Sequence, residues 1–206
     1  MQTYSQHMIE IYLKDRFPTK EPGCFLEIGC WDGILISQTR WLEQEKGWVG
    51  LCVDPFPKNF EDRTATLCRR AISADGKHRI FVKVSIDRRY GGDVSYFSGF
   101  KENIERHWPL IEEFCDFEDI IVPTITMEQL YETYDMPKHV EFLSVDVEGA
   151  ELEIFQSIDF NKWSYGMIDY EHNGVVEKRD MIREILKNAG YVLLAELTVD
   201  DIWVKE

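Results

Sequence analysis

The chain has few positive charges for its size. Its 23 Lys and Arg stand against 38 Asp and Glu, a formal net charge of −15. Nucleic-acid affinity rests on clustered Lys and Arg at the phosphates, so no nucleic-acid partner is expected. Cysteine is also scarce. The five present, Cys24, Cys30, Cys52, Cys68 and Cys115, are odd in number and form no C-x-x-C pair. They read as small buried hydrophobes in a reducing compartment rather than as a disulfide framework. No apolar run approaches the roughly 20 residues of a membrane helix, so no membrane span is expected. Near the N-terminus Glu10, Lys14, Asp15 and Arg16 precede any long apolar run, which does not read as a signal peptide; a cytoplasmic location is expected. Repeats, low-complexity segments and linkers are missing as well.

What is there suits one well-filled domain. In 206 residues, 44% are hydrophobic and 13% aromatic, too apolar for a disordered acidic chain. The apolar spacing predicts an N-terminal helix over 6–17, within a region 1–22, and a buried strand over 24–28. A helix over 34–46, a strand over 49–53 and another over 66–72 follow, with a short helical possibility at 59–64. In the middle, 79–86 alternates like a strand, 90–98 reads as loop, 100–117 as helix on both sides of Pro109, and 120–125 as strand. This stretch, 79–125, is taken as an insert or lid-like region within the single domain 1–206. Beyond it come helices at 127–134, 151–158 and 178–189, and strands at 140–147, 165–170, 191–197 and 201–204. Strands alternating with helices argue an α/β fold with a mostly parallel sheet covered on both faces.

In an open α/β sheet the ligand sits beyond the carboxyl ends of the strands, near the first strand–turn–helix. Here that turn is Leu26 to Gly33, with the spacing G-x-x-x-G. It lacks the G-x-G-x-x-G that seats a pyrophosphate on a helix N-terminus. Glu27, just before the first glycine, would repel a diphosphate and suits a cation. The turn therefore favours S-adenosylmethionine, with its ammonium and sulfonium charges, over a nicotinamide dinucleotide. Gly29, Cys30, Asp32 and Gly33 are the expected cradle, Asp54 the acceptor for ribose hydroxyls, and Ala71 with Ile72 the flank of the adenine. The plainer readings are a Gly-rich strand end without a ligand and an Asp-Pro turn at Asp54.

These residues resemble a known family. Glu27-Ile28-Gly29, Asp32-Gly33, Ser37-Gln38-Thr39 and the run Leu42-Glu43 to Gly47-Trp48-Val49-Gly50-Leu51 are similar to FkbM-type S-adenosylmethionine-dependent methyltransferases. Leu143 to Glu153 carries a D-V-E-G-A-E-x-E signature, and Tyr170-Glu171-His172-Asn173, Ser98-Gly99 and Asp201-Ile202-Trp203-Val204 resemble elements of one branch. The chain departs at Cys30-Trp31, where Ala-Asn is frequent, and at Asp54-Pro55-Phe56, where Glu-Pro is common. The resemblance implies a Rossmann-like class I methyltransferase fold, a mostly parallel seven-stranded sheet with helices on both faces, and O-methylation of a sugar, glycan or similar small molecule.

Methyl transfer from a sulfonium is an in-line displacement that gains from holding nucleophile and methyl together. A hydroxyl further gains from a base or a metal. Asp146, Glu148, Glu171 and His172 end neighbouring strands and are the expected catalytic residues, with Asp146 also beside the cofactor. In one mechanism His172 removes the proton while a carboxylate orients its ring. In the other a divalent cation is held by Asp146, Glu171, His172 or Asn173. The plainer alternatives are a helix cap for Asp146 and Glu148 and a loop role for His172. His7, His78, His107 and His139 look ordinary. Ser37 and Gln38 suit a helix surface as well as a site. Tyr96, Phe100 and Trp108 suit either a sugar-stacking lid or a core. A protein that binds S-adenosylmethionine without catalysis is the competing function.

Overall fold

The computed structural model describes Ser5 and residues 8–205. The first part of the expected N-terminal helix, including Gln6 and His7, lies outside the described residues. Helix α1 (Ile9–Arg16) is followed by β1 (Cys24–Ile28), β2 (Val49–Val53), β3 (Thr66–Cys68) and β4 (Ala71–Ile72). The insert contains β5 (Arg79–Asp87), β6 (Gly92–Asp93), β7 (Gly99–Phe100), α2 (Trp108–Phe114) and β8 (Cys115–Val122). The chain then runs through β9 (Thr124–Ile125), α3 (Met127–Thr133), β10 (His139–Val145) and α4 (Glu151–Ser157). It ends with β11 (Ser164–Glu171), α5 (Val176–Asn188), β12 (Tyr191–Glu196) and β13 (Asp200–Lys205).

The main sheet has seven strands in the order β12-β13-β11-β10-β1-β2-β3. It is mixed, because β13 runs antiparallel to both β11 and β12, while the pairs from β11 to β3 are parallel. Side chains alternate between faces along each strand. Leu26 and Ile28 of β1 therefore join a core with Leu130 of α3, Ile154 of α4 and Ile182 of α5. Phe25 faces the other way, onto Ile9 and Leu13 of α1 and onto Trp41 and Leu42. Helices thus cover both faces. Among the described residues, no helix is long and apolar enough to cross a membrane.

Four local expectations give way to tertiary contacts. The segment 34–39 is not helical, and helix begins at Arg40 and continues as a π-type stretch over Leu42–Lys46. The reason is Glu27, whose carboxylate accepts from the Gln38 N–H at 2.8 Å and the Thr39 hydroxyl at 2.6 Å, wrapping the segment around itself. In 100–117 only Trp108–Phe114 is helical, with Pro109 in the first turn, where its missing N–H costs nothing. From Cys115 onward pairing with β5 takes over. The expected strand 66–72 splits, since β3 pairs with β2 while β4 pairs with β9. No helix forms at 59–64.

The insert is a small antiparallel sheet built on β5 and β8. Val82 and Val84 of β5 pack on Ile104, Ile111 and Cys115. Phe81, Lys83 and Ser85 look into a cavity above the main sheet, whose lining Val84 and Ile86 also reach.

Candidate active site

Strands β1, β2, β10 and β11 are parallel, so their carboxyl ends share one rim of the sheet. A cavity of about 480 Å³ opens there, between the rim and the insert. That volume lies within the usual range of small-molecule sites.

One side is the turn after β1. The Gly29 N–H donates to Val53 O at 2.8 Å, and the Asp146 N–H donates to Ile28 O at 2.9 Å, so three strand ends are tied together. Gly29 has φ +87°, and a Cβ there would lie 1.5 Å from Asp146 O; only glycine fits. Asp54 fixes the turn from β2. Its carboxylate accepts from the Trp31 N–H at 3.0 Å and the Phe56 N–H at 2.6 Å, while burial pushes the carboxyl up to about 6. Cys30, Ala71 and Ile72 line the same part of the cavity, and burial drives the Cys30 thiol well above its ordinary value.

Glu27 also lines the cavity, but its oxygens are engaged by Gln38 and Thr39, and Ser37 Oγ lies 3.4 Å from both. Behind it sits Arg63, fully buried. Its guanidinium meets Glu43 at 2.7 Å, Thr39 Oγ1 at 2.9 Å, and both Gly33 O and Ser37 Oγ at 3.0 Å. Asp32 and Gly33 shape the turn without lining the cavity. Asp32 Oδ1 accepts from the N–H groups of Ile34 and Leu35, each at 2.8 Å, and Oδ2 accepts from Asn59 at 2.6 Å. Gly33 packs against Asn59 and Phe60.

Across the cavity Asp146, Glu148 and Glu171 converge, with one oxygen from each lying within 4.8 Å of the others. Burial, then repulsion from Glu171 and Glu148, holds the Asp146 carboxyl well above its usual range. Burial and repulsion from Glu148 push Glu171 up to about 8. Asn173 donates to Glu171. Two sequence-derived candidates sit apart from this group. His172 is buried with its Nδ1 accepting from the Gly174 N–H at 2.9 Å and its Nε2 3.8 Å from Asp201, and it does not line the cavity. Burial and the nearby Arg179 lower its pKa. Asn173 reaches the cluster only through Glu171.

The D-V-E-G-A-E-x-E run divides its acids by duty. Asp146 and Glu148 face the cavity. Glu151 instead accepts from the N–H groups of Val147 at 3.1 Å and Gly149 at 3.0 Å, bracing the turn. Glu153 holds Arg79 of β5 by two hydrogen bonds, at 2.6 and 2.8 Å, anchoring the insert to α4.

The insert also closes over the first turn. Trp31 Nε1 donates to Ser95 Oγ at 2.8 Å, Lys58 Nζ bridges Ser95 Oγ and Asp93 at 2.6 Å each, and Tyr96 meets Trp31 edge-on at 5.4 Å. Tyr96 and Phe100 line the cavity, whereas Trp108 packs on Phe117 in the insert. His107, read from sequence as ordinary, lies with Nε2 2.9 Å from Glu148. No local pattern marks His107 or Arg63, because each finds its partners far along the chain.

The sequence model of the methyltransferase FkbM domain matches residues 24–193. No curated protein and no solved structure matches the chain.

Proposed function

The chain belongs to the FkbM methyltransferase domain family, and on that premise we propose that it moves a methyl group from S-adenosylmethionine to a hydroxyl of a sugar, glycan or similar small molecule. A Rossmann-like class I fold goes with this reading. The strand order turns around at β1, with β2 and β3 on one side and β10 and β11 on the other, and ligands of doubly wound sheets bind at such a switch point. The carrying observation is the meeting, in one cavity, of the Gly29 turn and Asp54 with Asp146, Glu148 and Glu171.

The cofactor supplies an electrophilic methyl group on a sulfonium. Residues on the β1–β4 side fit it: Gly29 lets the first turn lie directly against the Asp146 backbone, where a Cβ would clash, Asp54 keeps lone pairs for ribose hydroxyls, and Ala71 and Ile72 offer an apolar flank. Glu27 and Asp146 bring negative charge to the cationic end. Where the insert meets the first turn, Trp31 of the turn and Tyr96 of the insert give aromatic faces suited to the C–H faces of a sugar ring. A carboxylate of the trio takes the hydroxyl proton, since His172 faces away. Burial and mutual repulsion favour the neutral forms of Asp146 and Glu171, and a cation placed beside them favours ionisation.

The second reading adds a divalent cation at Asp146, Glu148 and Glu171, favoured by their three converging oxygens. One experiment separates the possibilities: labelled S-adenosylmethionine is offered with a panel of methyl glycosides, with and without EDTA. Glu171→Gln is expected to lower methyl transfer about 100-fold or more while calorimetry still detects cofactor binding; Asp54→Ala is expected to weaken that binding. Undiminished transfer by Glu171→Gln overturns the catalytic assignment. Turnover lost to EDTA and restored by Mg²⁺ selects the metal reading. Cofactor binding by the unaltered protein with no product from any hydroxyl acceptor selects the non-catalytic alternative.

A further inference from the structure

His107 stands immediately before α2, and two backbone hydrogen bonds fix its place: its N–H donates to Ile104 O at 3.0 Å, and its carbonyl accepts from the Ile111 N–H at 2.9 Å. Its ring lies against Phe97, with centroids 4.8 Å apart and planes inclined by 31°. Nε2 lies 2.9 Å from Glu148 Oε2, at ion-pair distance though outside hydrogen-bond geometry, and both atoms are buried with no hydrogen-bond partner among the described residues. Glu148 lines the cavity and His107 does not.

The opposite partner is equally constrained. Glu148 has φ +56° and is followed by Gly149 at φ +107°. A Cβ on Gly149 would come within 2.3 Å of Asn103 O, so the insert and this turn pack backbone to backbone. Asn103 Nδ2 and Lys178 Nζ both donate to Gly149 O, at 3.2 and 2.8 Å. Two rigid segments therefore present one nitrogen and one carboxylate oxygen to each other. A carboxylate that must accept a proton along one direction gains when its rotation is stopped.

We propose that His107 is a positioning residue, supplied by the insert, which aims the Glu148 carboxylate at the acceptor hydroxyl. The proposal rests on the methyl-transfer reading above. It also gives the insert a part in the chemistry besides covering the cavity. The bland explanation is that the imidazole simply fills space on Phe97.

Two variants separate these. His107→Phe keeps an aromatic ring on Phe97 and removes Nε2, whereas His107→Gln places an amide donor at a similar reach. Labelled methyl transfer to the methyl glycoside panel is measured at saturating S-adenosylmethionine, and cofactor affinity is measured in parallel by calorimetry. His107→Phe is expected to lower kcat about tenfold or more with cofactor affinity unchanged, and His107→Gln to recover most of the rate. Added to Glu148→Gln, His107→Phe is expected to cause no further loss. Wild-type turnover in His107→Phe, a Gln variant as slow as the Phe variant, or losses that multiply would each overturn the proposal. Should the unaltered protein methylate nothing in the panel, the methyl-transfer reading is what fails. The contact is then judged by the ¹⁵N resonance of His107 Nε2, which is expected to move in Glu148→Gln and, if unmoved, overturns the inference.

Discussion

Asp54 accepts two backbone N–H groups, one on each side, and so holds the first turn while keeping lone pairs for a ligand. Its burial sets a pH dependence. The folded-state value, about 6, lies above the unfolded value of about 3.9. Stability from this group is therefore fully present below about pH 4, declines as pH rises to about 6, and is level above that. Under the proposed function cofactor affinity would have the opposite slope, because ribose hydroxyls would donate to the ionised carboxylate. Calorimetric affinity for S-adenosylmethionine is expected to fall as pH drops below about 6, and Asp54→Asn to bind weakly with no such slope. An Asn variant with an unchanged pH profile would assign the slope elsewhere. Asp54 and Gly29 were legible in the sequence because both follow apolar strands, and position after a strand is a local signal. The separate duties of Glu148, Glu151 and Glu153 were not, since neighbouring acids differ only in what faces them.

Between residue and fold stands the segment 34–39. Its apolar pattern predicts helix, but helix is absent because Glu27 binds Gln38 and Thr39 more favourably than the helical ladder would. Arg63 clamps the far side of the segment and pairs with Glu43, and both side chains are nearly inaccessible. Removing one partner of a buried pair strands the other charge. Arg63→Met is expected to destabilise the protein by about 3–5 kcal/mol in urea unfolding and to weaken cofactor binding through the loosened segment. A loss below about 1 kcal/mol would show that water replaces the guanidinium there. Elements elsewhere were more legible: β1 and β2 occupy the expected residues, because continuous apolar runs bounded by glycine or Asp-Pro have few other places to go.

At the scale of the whole molecule, an antiparallel insert docks over the switch point of the main sheet. Arg79 to Glu153 is its tether at one end and Trp31 to Ser95 at the other. Arg79→Ala is expected to cost about 1 kcal/mol, discounted because the pair is partly exposed. It should lower Tm by about 2–4 °C and speed amide exchange in β5 and β8, and unchanged exchange there would mean that the tether is dispensable. The sequence by itself determined the α/β class, the strands that carry the rim and the acidic character of that rim. Those follow from apolar periodicity and from residues next to one another. Only the tertiary structure decided that His172 turns away toward Asp201, that Asn173 reaches the acidic trio only through Glu171, and that His107 and Arg63 belong to the site's surroundings. The −15 charge gave no warning of this, because which carboxylates meet depends on strand order and burial, and neither is a property of neighbouring residues.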